Sequence, residues 1–171
     1  PSVTPGRGNL SFTSINLPRL GIKYGIALGE RKKADYLMTK TTGFDTVQRI
    51  DVPDEIDPSV KRSNIIAIKK GKKKGTVWLI SHIDVVPTGD LDLWDTNPFE
   101  PIVKDGKIYG RGTEDDGQSV ISSMFASRPC LSEELEGMSI GIAWVADEET
   151  SSKYGIQYLL DQGIFTQDDV L

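Results

Sequence analysis

At 171 residues, 37% hydrophobic and 26% charged, the chain can bury the core of one domain. Twenty basic against 25 acidic residues leave a formal charge of -5, which argues against nucleic acid as the main partner. No apolar run approaches the ~20 residues of a membrane span, no signal-peptide pattern opens the sequence, and the single Cys130 fits a reducing, cytoplasmic setting.

Residues 1–25, rich in Gly, Pro, Ser and Asn, read as an irregular loop. A helix is predicted over 27–40, with Ala34, Leu37 and Met38 on one face, residues 30–33 in solvent and Gly43 as its end. Residues 44–52 alternate as a strand, and 64–69 and 76–80 are two more, joined by Gly71-Lys72-Lys73-Lys74-Gly75. In a net acidic chain that lysine run reads as a solvated hairpin turn rather than a phosphate or nucleic-acid patch. Asp105-Gly106, within 103–109, signals a second hairpin. Residues 117–127 predict a helix with Val120, Ile121, Met124 and Phe125 on its apolar face, which Pro129 should end. Residues 139–146 form a near-continuous apolar strand of the kind found in mid-sheet. Ser151 or Ser152 can cap a last helix that turns Ile156, Leu159 and Leu160 inward and stops at Gly163; Asp168-Asp169-Val170-Leu171 reads as the approach to another strand. Strands alternating with helices predict an α/β fold of three layers, a mixed, mostly parallel sheet with helices on both faces, without internal repeats or a domain linker.

Chemistry concentrates in three clusters: Ser81-His82-Ile83-Asp84-Val85-Val86-Pro87, Gly110-Arg111-Gly112-Thr113-Glu114-Asp115-Asp116-Gly117, and Asp147-Glu148-Glu149. Each falls at a strand exit or a helix start, where open α/β sheets build their sites. A lone histidine is more often structural than a ligand. His82, however, follows the apolar run Val77-Trp78-Leu79-Ile80, read as a strand that should be buried, and Asp84 should lie on the same side of an extended segment. A carboxylate there can accept the second ring N–H, fixing the tautomer and raising the basicity of the other nitrogen. The alternative for Asp84 is a turn residue ahead of Val85-Val86-Pro87. Asp115 and Asp116 could be a helix N-cap and a second acid favoured by the macrodipole; the flanking Gly110 and Gly112 suggest instead backbone bent tightly around something. Glu148 and Glu149 point in different directions, so one can ligate a metal while the other holds a water; a merely polar strand end is the alternative.

Together these stretches, with Trp94, Asn97-Pro98-Phe99-Glu100-Pro101 and Asp105-Gly106-Lys107-Ile108-Tyr109 between them, resemble the di-zinc acyl-amino-acid hydrolases and exopeptidases. That family includes acetylornithine deacetylase, succinyl-diaminopimelate desuccinylase, aminoacylase, carboxypeptidase G and several dipeptidases. The resemblance runs from about residue 34 to 171. It implies that His82 binds one zinc, Asp115 bridges two and Glu149 binds the second, with cobalt or manganese as substitutes. It further implies that Asp84 orients His82, that Glu148 is the general base and acid, and that a cis peptide follows Asp115, with room provided by Gly112 and Gly117. The substrate class implied is an N-acyl amino acid or small peptide, cleaved at an amide bond.

Set against that family, the chain reads as the N-terminal part of a catalytic domain. A third carboxylate, a second ligand histidine and the lid domain that pairs subunits into homo-oligomers are expected beyond it. As it stands, the chain is expected to bind metal weakly and hydrolyse little. Ser151 replaces a frequent glycine and Pro129 interrupts a usually longer helix, both expected to lower stability. Two other readings compete: a distant di-zinc aminopeptidase, and a non-catalytic scaffold that retains one metal or a partner surface.

Overall fold

The computed structural model describes residues 30–171. The loop expected over residues 1–25, the helix start at 27–29 and the solvated face assigned to residues 30–33 lie outside the described residues and side chains. In chain order the elements are α1 (Glu30–Met38), β1 (Thr46–Pro53), β2 (Lys61–Lys69), β3 (Thr76–His82), a 3₁₀ turn (Leu91–Leu93), β4 (Ile102–Lys104), β5 (Lys107–Tyr109), α2 (Gly117–Leu131), β6 (Ser139–Val145), a π-helical turn (Lys153–Gln157) and α3 (Tyr158–Asp161). Helix α1 stops at Met38; Gly43, at φ +99°, makes the turn into β1 instead of closing the helix.

Four strands form one sheet in the order β1-β2-β6-β3, with β1–β2 and β2–β6 antiparallel and β3–β6 parallel. The sheet is mixed, as expected, but among the described residues its pairings are more antiparallel than the expected mostly parallel pattern. Val170 adds a parallel bridge to Val77 on the outer side of β3, so the last residues do approach as a further strand.

The lysine run does not close a hairpin between paired strands. Strand β6 lies between β2 and β3, and the segment leading into it docks on the lysine turn through Lys72 N–H to Leu135 O and Lys73 N–H to Gly137 O. Apolarity explains the insertion: Gly141, Ile142, Ala143, Trp144 and Val145 are all buried, and only a strand flanked on both edges and covered on both faces can bury such a run. The lysines stay at the surface, Lys72 paired with Glu134 and Glu136 and Lys74 with Asp168. The Asp105-Gly106 hairpin forms as read, with both residues at positive φ between β4 and β5.

Helices cover both faces. On one, Ala34 and Leu37 of α1 and Val120 and Met124 of α2 meet Ile65, Ala67, Ile142 and Trp144. On the other, Leu159 of α3 packs with Ile66, Trp78, Ala143 and Val145. The buried face of α2 is rotated from the expected one toward Ser123 and Ser127, because small residues there leave space for Trp144, whose Nε1–H donates to Ser123 Oγ at 3.1 Å. Pro129 does not end α2, which runs to Leu131; the ring already holds a helical φ and removes a single backbone bond near the helix end. Of the two expected caps, Ser152 has φ +58° and makes no side-chain cap bond, whereas Ser151 Oγ accepts Lys153 N–H at 3.4 Å where the π-helical turn starts. The backbone leaves helical angles at Gly155 (φ -100°, ψ -113°), which shifts the helical phase, so Leu159 is buried while Leu160 is exposed. Gly163, at φ +70°, follows α3 as expected.

Candidate metal centre

Parallel pairing of β3 and β6 brings the first and third clusters together. The register sets His82 opposite Val145, and Ile83 N–H continues the ladder to Val145 O at 2.8 Å. The carboxyl ends of two adjacent strands therefore present His82-Ile83-Asp84 beside Asp147-Glu148-Glu149. The second cluster arrives through α2, which packs on this face with its N-terminus at the same edge.

Among the described residues, His82, Asp115 and Glu149 form a group whose ligand atoms all lie within 4.8 Å of one another. His82 Nε2 is 2.9 Å from Asp115 Oδ1 and 3.6 Å from Glu148 Oε2. Its Nδ1 lies 3.2 Å from Asp84 O and 3.5 Å from Asp84 Oδ1. The Asp84 carboxylate is buried and accepts two backbone donors as well, Glu148 N–H at 3.2 Å and Glu149 N–H at 3.1 Å. Asp84 thus ties the imidazole to the turn that carries both glutamates. The imidazole is 9% exposed, whereas the Asp115 and Glu148 side chains are 71% and 52% exposed, so the centre opens to solvent on its carboxylate side.

The charges follow from this crowding. Burial pulls the His82 pKa down, but Asp84 and Asp115, with Asp116 nearby, outweigh it and raise it to about 9. Burial raises Asp84, yet the His82, Glu149 and Glu148 hydrogen bonds prevail and hold it below the usual carboxylate range. Glu149 is pushed above that range by burial and by the carboxylates of Asp115, Glu148 and Asp84, partly opposed by His82. A ring held protonated above its ordinary 6.5 stabilises the metal-free fold fully below that value, and the contribution disappears as pH rises through about 9. Between pH 6.5 and 9 the melting temperature of the chelator-treated chain should fall, and His82→Gln should flatten the decline. A melting temperature independent of pH in the unaltered chain would contradict this electrostatic picture.

The three motif stretches around the centre form one knot. Arg111 lies over the Trp94 ring at 5.3 Å and donates to Pro87 O at 3.2 Å, while Trp94 Nε1–H donates to Thr88 O at 3.1 Å. Gly112, at φ +74°, passes so close to Val85 that a Cβ would come within 2.4 Å of Val85 Cγ1. The Asp115–Asp116 peptide is cis, and Gly117 N–H returns to Gly112 O at 3.1 Å.

Several residues that organise the acidic turn carry no role in the sequence reading. Asn64, fully buried on β2, accepts Ala146 N–H at 3.0 Å and donates to Tyr154 O at 2.8 Å, clamping the exit of β6. A buried amide beside the apolar run Ile65-Ile66-Ala67 is the signal that could have found it. Asp147 is buried at φ +65° and accepts from the Thr150 hydroxyl, from Ser151 Oγ at 2.8 Å and from Tyr154 N–H at 3.3 Å. Ser151, which stands where the family often has glycine, contributes one of these hydrogen bonds.

The donor set is one imidazole nitrogen and carboxylate oxygens, without thiolate, and the other ring nitrogen is held by Asp84. This fits a divalent cation in a hydrolytic rather than a structural zinc site. Comparison with known proteins decides the family: residues 78–170 match the model for peptidase family M20/M25/M40. The chain belongs to that family. An uncharacterized metallohydrolase of Methanocaldococcus jannaschii is 37% identical over 156 residues, 84% of this chain and 37% of the relative. A succinyl-diaminopimelate desuccinylase of a Sulfurovum species is 39% identical over 97 residues, 57% of this chain and 25% of that enzyme. The M20 chain thus spans well under half the length of these relatives. Among solved structures, the dipeptidase Dug1p of Saccharomyces cerevisiae shares the fold with a TM-score of 0.66 at 21% identity, over 90% of this chain and 36% of that one. The M20 metallo-carboxypeptidase Sso-CP2 of Sulfolobus solfataricus does so at 0.62 and 20%, over 85% and 34%.

Proposed function

We propose that this chain is the ligand-bearing N-terminal part of a zinc-dependent, cytoplasmic amide hydrolase that acts on N-acyl amino acids or small peptides. The observation that carries the reading is the convergence of His82, Asp115 and Glu149 within 4.8 Å, beside the exposed carboxylate of Glu148. His82, Asp115 and Glu149 would hold the divalent cation, and Asp115 would be the ligand shared with a second ion. Bound zinc would lower the pKa of water toward ~7 and polarise the scissile carbonyl. Asp84 holds the imidazole in the orientation that turns Nε2 toward Asp115 and the mouth of the centre, where it could serve as a ligand. Glu148, half-exposed and 3.6 Å from His82 Nε2, can take a proton from the attacking water and deliver it to the leaving nitrogen. The identity to a succinyl-diaminopimelate desuccinylase supports an N-succinyl amino acid as the first substrate to assay.

One histidine and two carboxylates are a sparse set for a metal pair, and we take the remaining ligands and the subunit-pairing lid to belong to further sequence. The 171-residue chain should therefore take up no more than about one zinc, weakly, and show turnover near background. Metal analysis after zinc equilibration, with assays on N-succinyl and N-acetyl amino acids and dipeptides, tests this. Absence of zinc uptake would sink the metal reading and favour a scaffold, while full turnover at two zinc equivalents would overturn the incompleteness. In a protein of the relatives' full length, Glu148→Gln should leave metal content unchanged and lower turnover by about 10²–10⁴-fold.

A further inference from the structure

We propose that Asp116 is a positioning residue for His82, acting through the histidine backbone while Asp115 meets its ring. The inference rests on the metal reading above. Asp116 occupies the N-cap of α2, where an acid ordinarily turns back onto the helix's first N–H groups, yet its side chain makes no cap bond. Its Oδ2 instead accepts the backbone N–H of His82 at 3.0 Å. Strand alternation explains why that donor is available. Ile83 N–H points to β6, through Val145 O, while Trp78 N–H points to the opposite edge, through Val170 O. His82 shares the parity of Trp78, so its N–H also faces away from β6. The described bridge on that edge stops at Val77, five residues short of the histidine. The Asp116 carboxylate takes the donor that a neighbouring strand would otherwise accept.

Two successive carboxylates therefore hold one residue at two points, Asp115 on Nε2 at 2.9 Å and Asp116 on the main chain at 3.0 Å. This fixes the distance between the loop bearing Asp115 and the strand end bearing His82, which must stay constant for both to ligate one cation.

Zinc affinity should be measured by competition with a chromophoric chelator for the unaltered chain, Asp116→Ser and Asp116→Asn, with the His82 amide followed in ¹H–¹⁵N spectra. Serine keeps a good helix cap but is too short to reach His82, whereas asparagine keeps an acceptor oxygen. Asp116→Ser should weaken zinc binding by about 10–100-fold and shift the His82 amide proton upfield. Asp116→Asn should retain most of the affinity and the downfield amide. Unchanged affinity in Asp116→Ser, or equal loss in both variants, would overturn the proposal. If the unaltered chain takes up no zinc, the metal reading fails separately. The amide shift then decides alone, and a His82 resonance unmoved by Asp116→Ser overturns the positioning role.

Discussion

Gly155→Ala should lower the melting temperature by about 6–12 °C, corresponding to a loss of roughly 3 kcal/mol. Gly155 is buried within the π-helical turn, and a Cβ there would lie 1.9 Å from the carbonyl oxygen of Ala146, with Ala146 C at 3.1 Å. A flexible side chain could move aside from such a contact; a backbone carbonyl at the end of the central strand cannot. Relief requires either displacing the turn, which breaks the Asn64 bond to Tyr154 O, or shifting Ala146, which breaks Asn64's other bond. Both routes disturb the acidic turn that follows, so zinc affinity should fall along with stability. Gly137→Ala is the matched control: it meets nothing within 4 Å, and its effect should stay within about 0.5 kcal/mol. Thermal denaturation by circular dichroism measures both variants. Equal melting temperatures would mean that the turn yields more readily than its close approach implies.

Asp84→Ala should cost about 2–4 kcal/mol and weaken zinc binding about 10–100-fold. The carboxylate accepts the N–H groups of Glu148 and Glu149 and lies 3.5 Å from the imidazole Nδ1, which also meets the Asp84 main-chain oxygen at 3.2 Å. Hydrogen bonds to a charged acceptor are stronger than neutral ones, and removing the acceptor leaves two partly buried donors without a partner. Asp84→Asn should recover little, since its amide offers one oxygen and turns an NH₂ group toward the remaining backbone donor. Denaturant unfolding and zinc competition read the two effects independently. Reduced stability with unchanged zinc affinity would separate the buried carboxylate from the metal centre.

Much of this architecture is legible locally. Apolar runs mark β2, β3 and β6, and the Asp105-Gly106 pair marks its hairpin. The clustered acids and the lone histidine sit where strands and helices begin or end. The rest depends on partners distant in the chain. Nothing around Gly71-Lys72-Lys73-Lys74-Gly75 shows that a strand arriving some 60 residues later will separate its two flanks. The direction of the Asp116 side chain is equally invisible, because helix capping is the better local solution and loses only to an open N–H on β3. Leu160 does not face inward because the backbone leaves helical angles at Gly155, which resets the phase of the helix that follows. Pro129 sits near enough to the helix end for its missing donor to matter little.

The insertion of β6 between β2 and β3 has a consequence for biogenesis. The residues of β1, β2 and β3 precede β6 in the chain, yet β3 joins the other two strands only through β6. Only when residues 139–145 arrive can hydrogen bonding run across all four strands, and the same event delivers Glu148 and Glu149 to the imidazole. Such long-range closure makes assembly slow and leaves sticky edges open in the interval. Completion of the sheet and creation of the chelating pocket are thus one step, because both wait for the same segment.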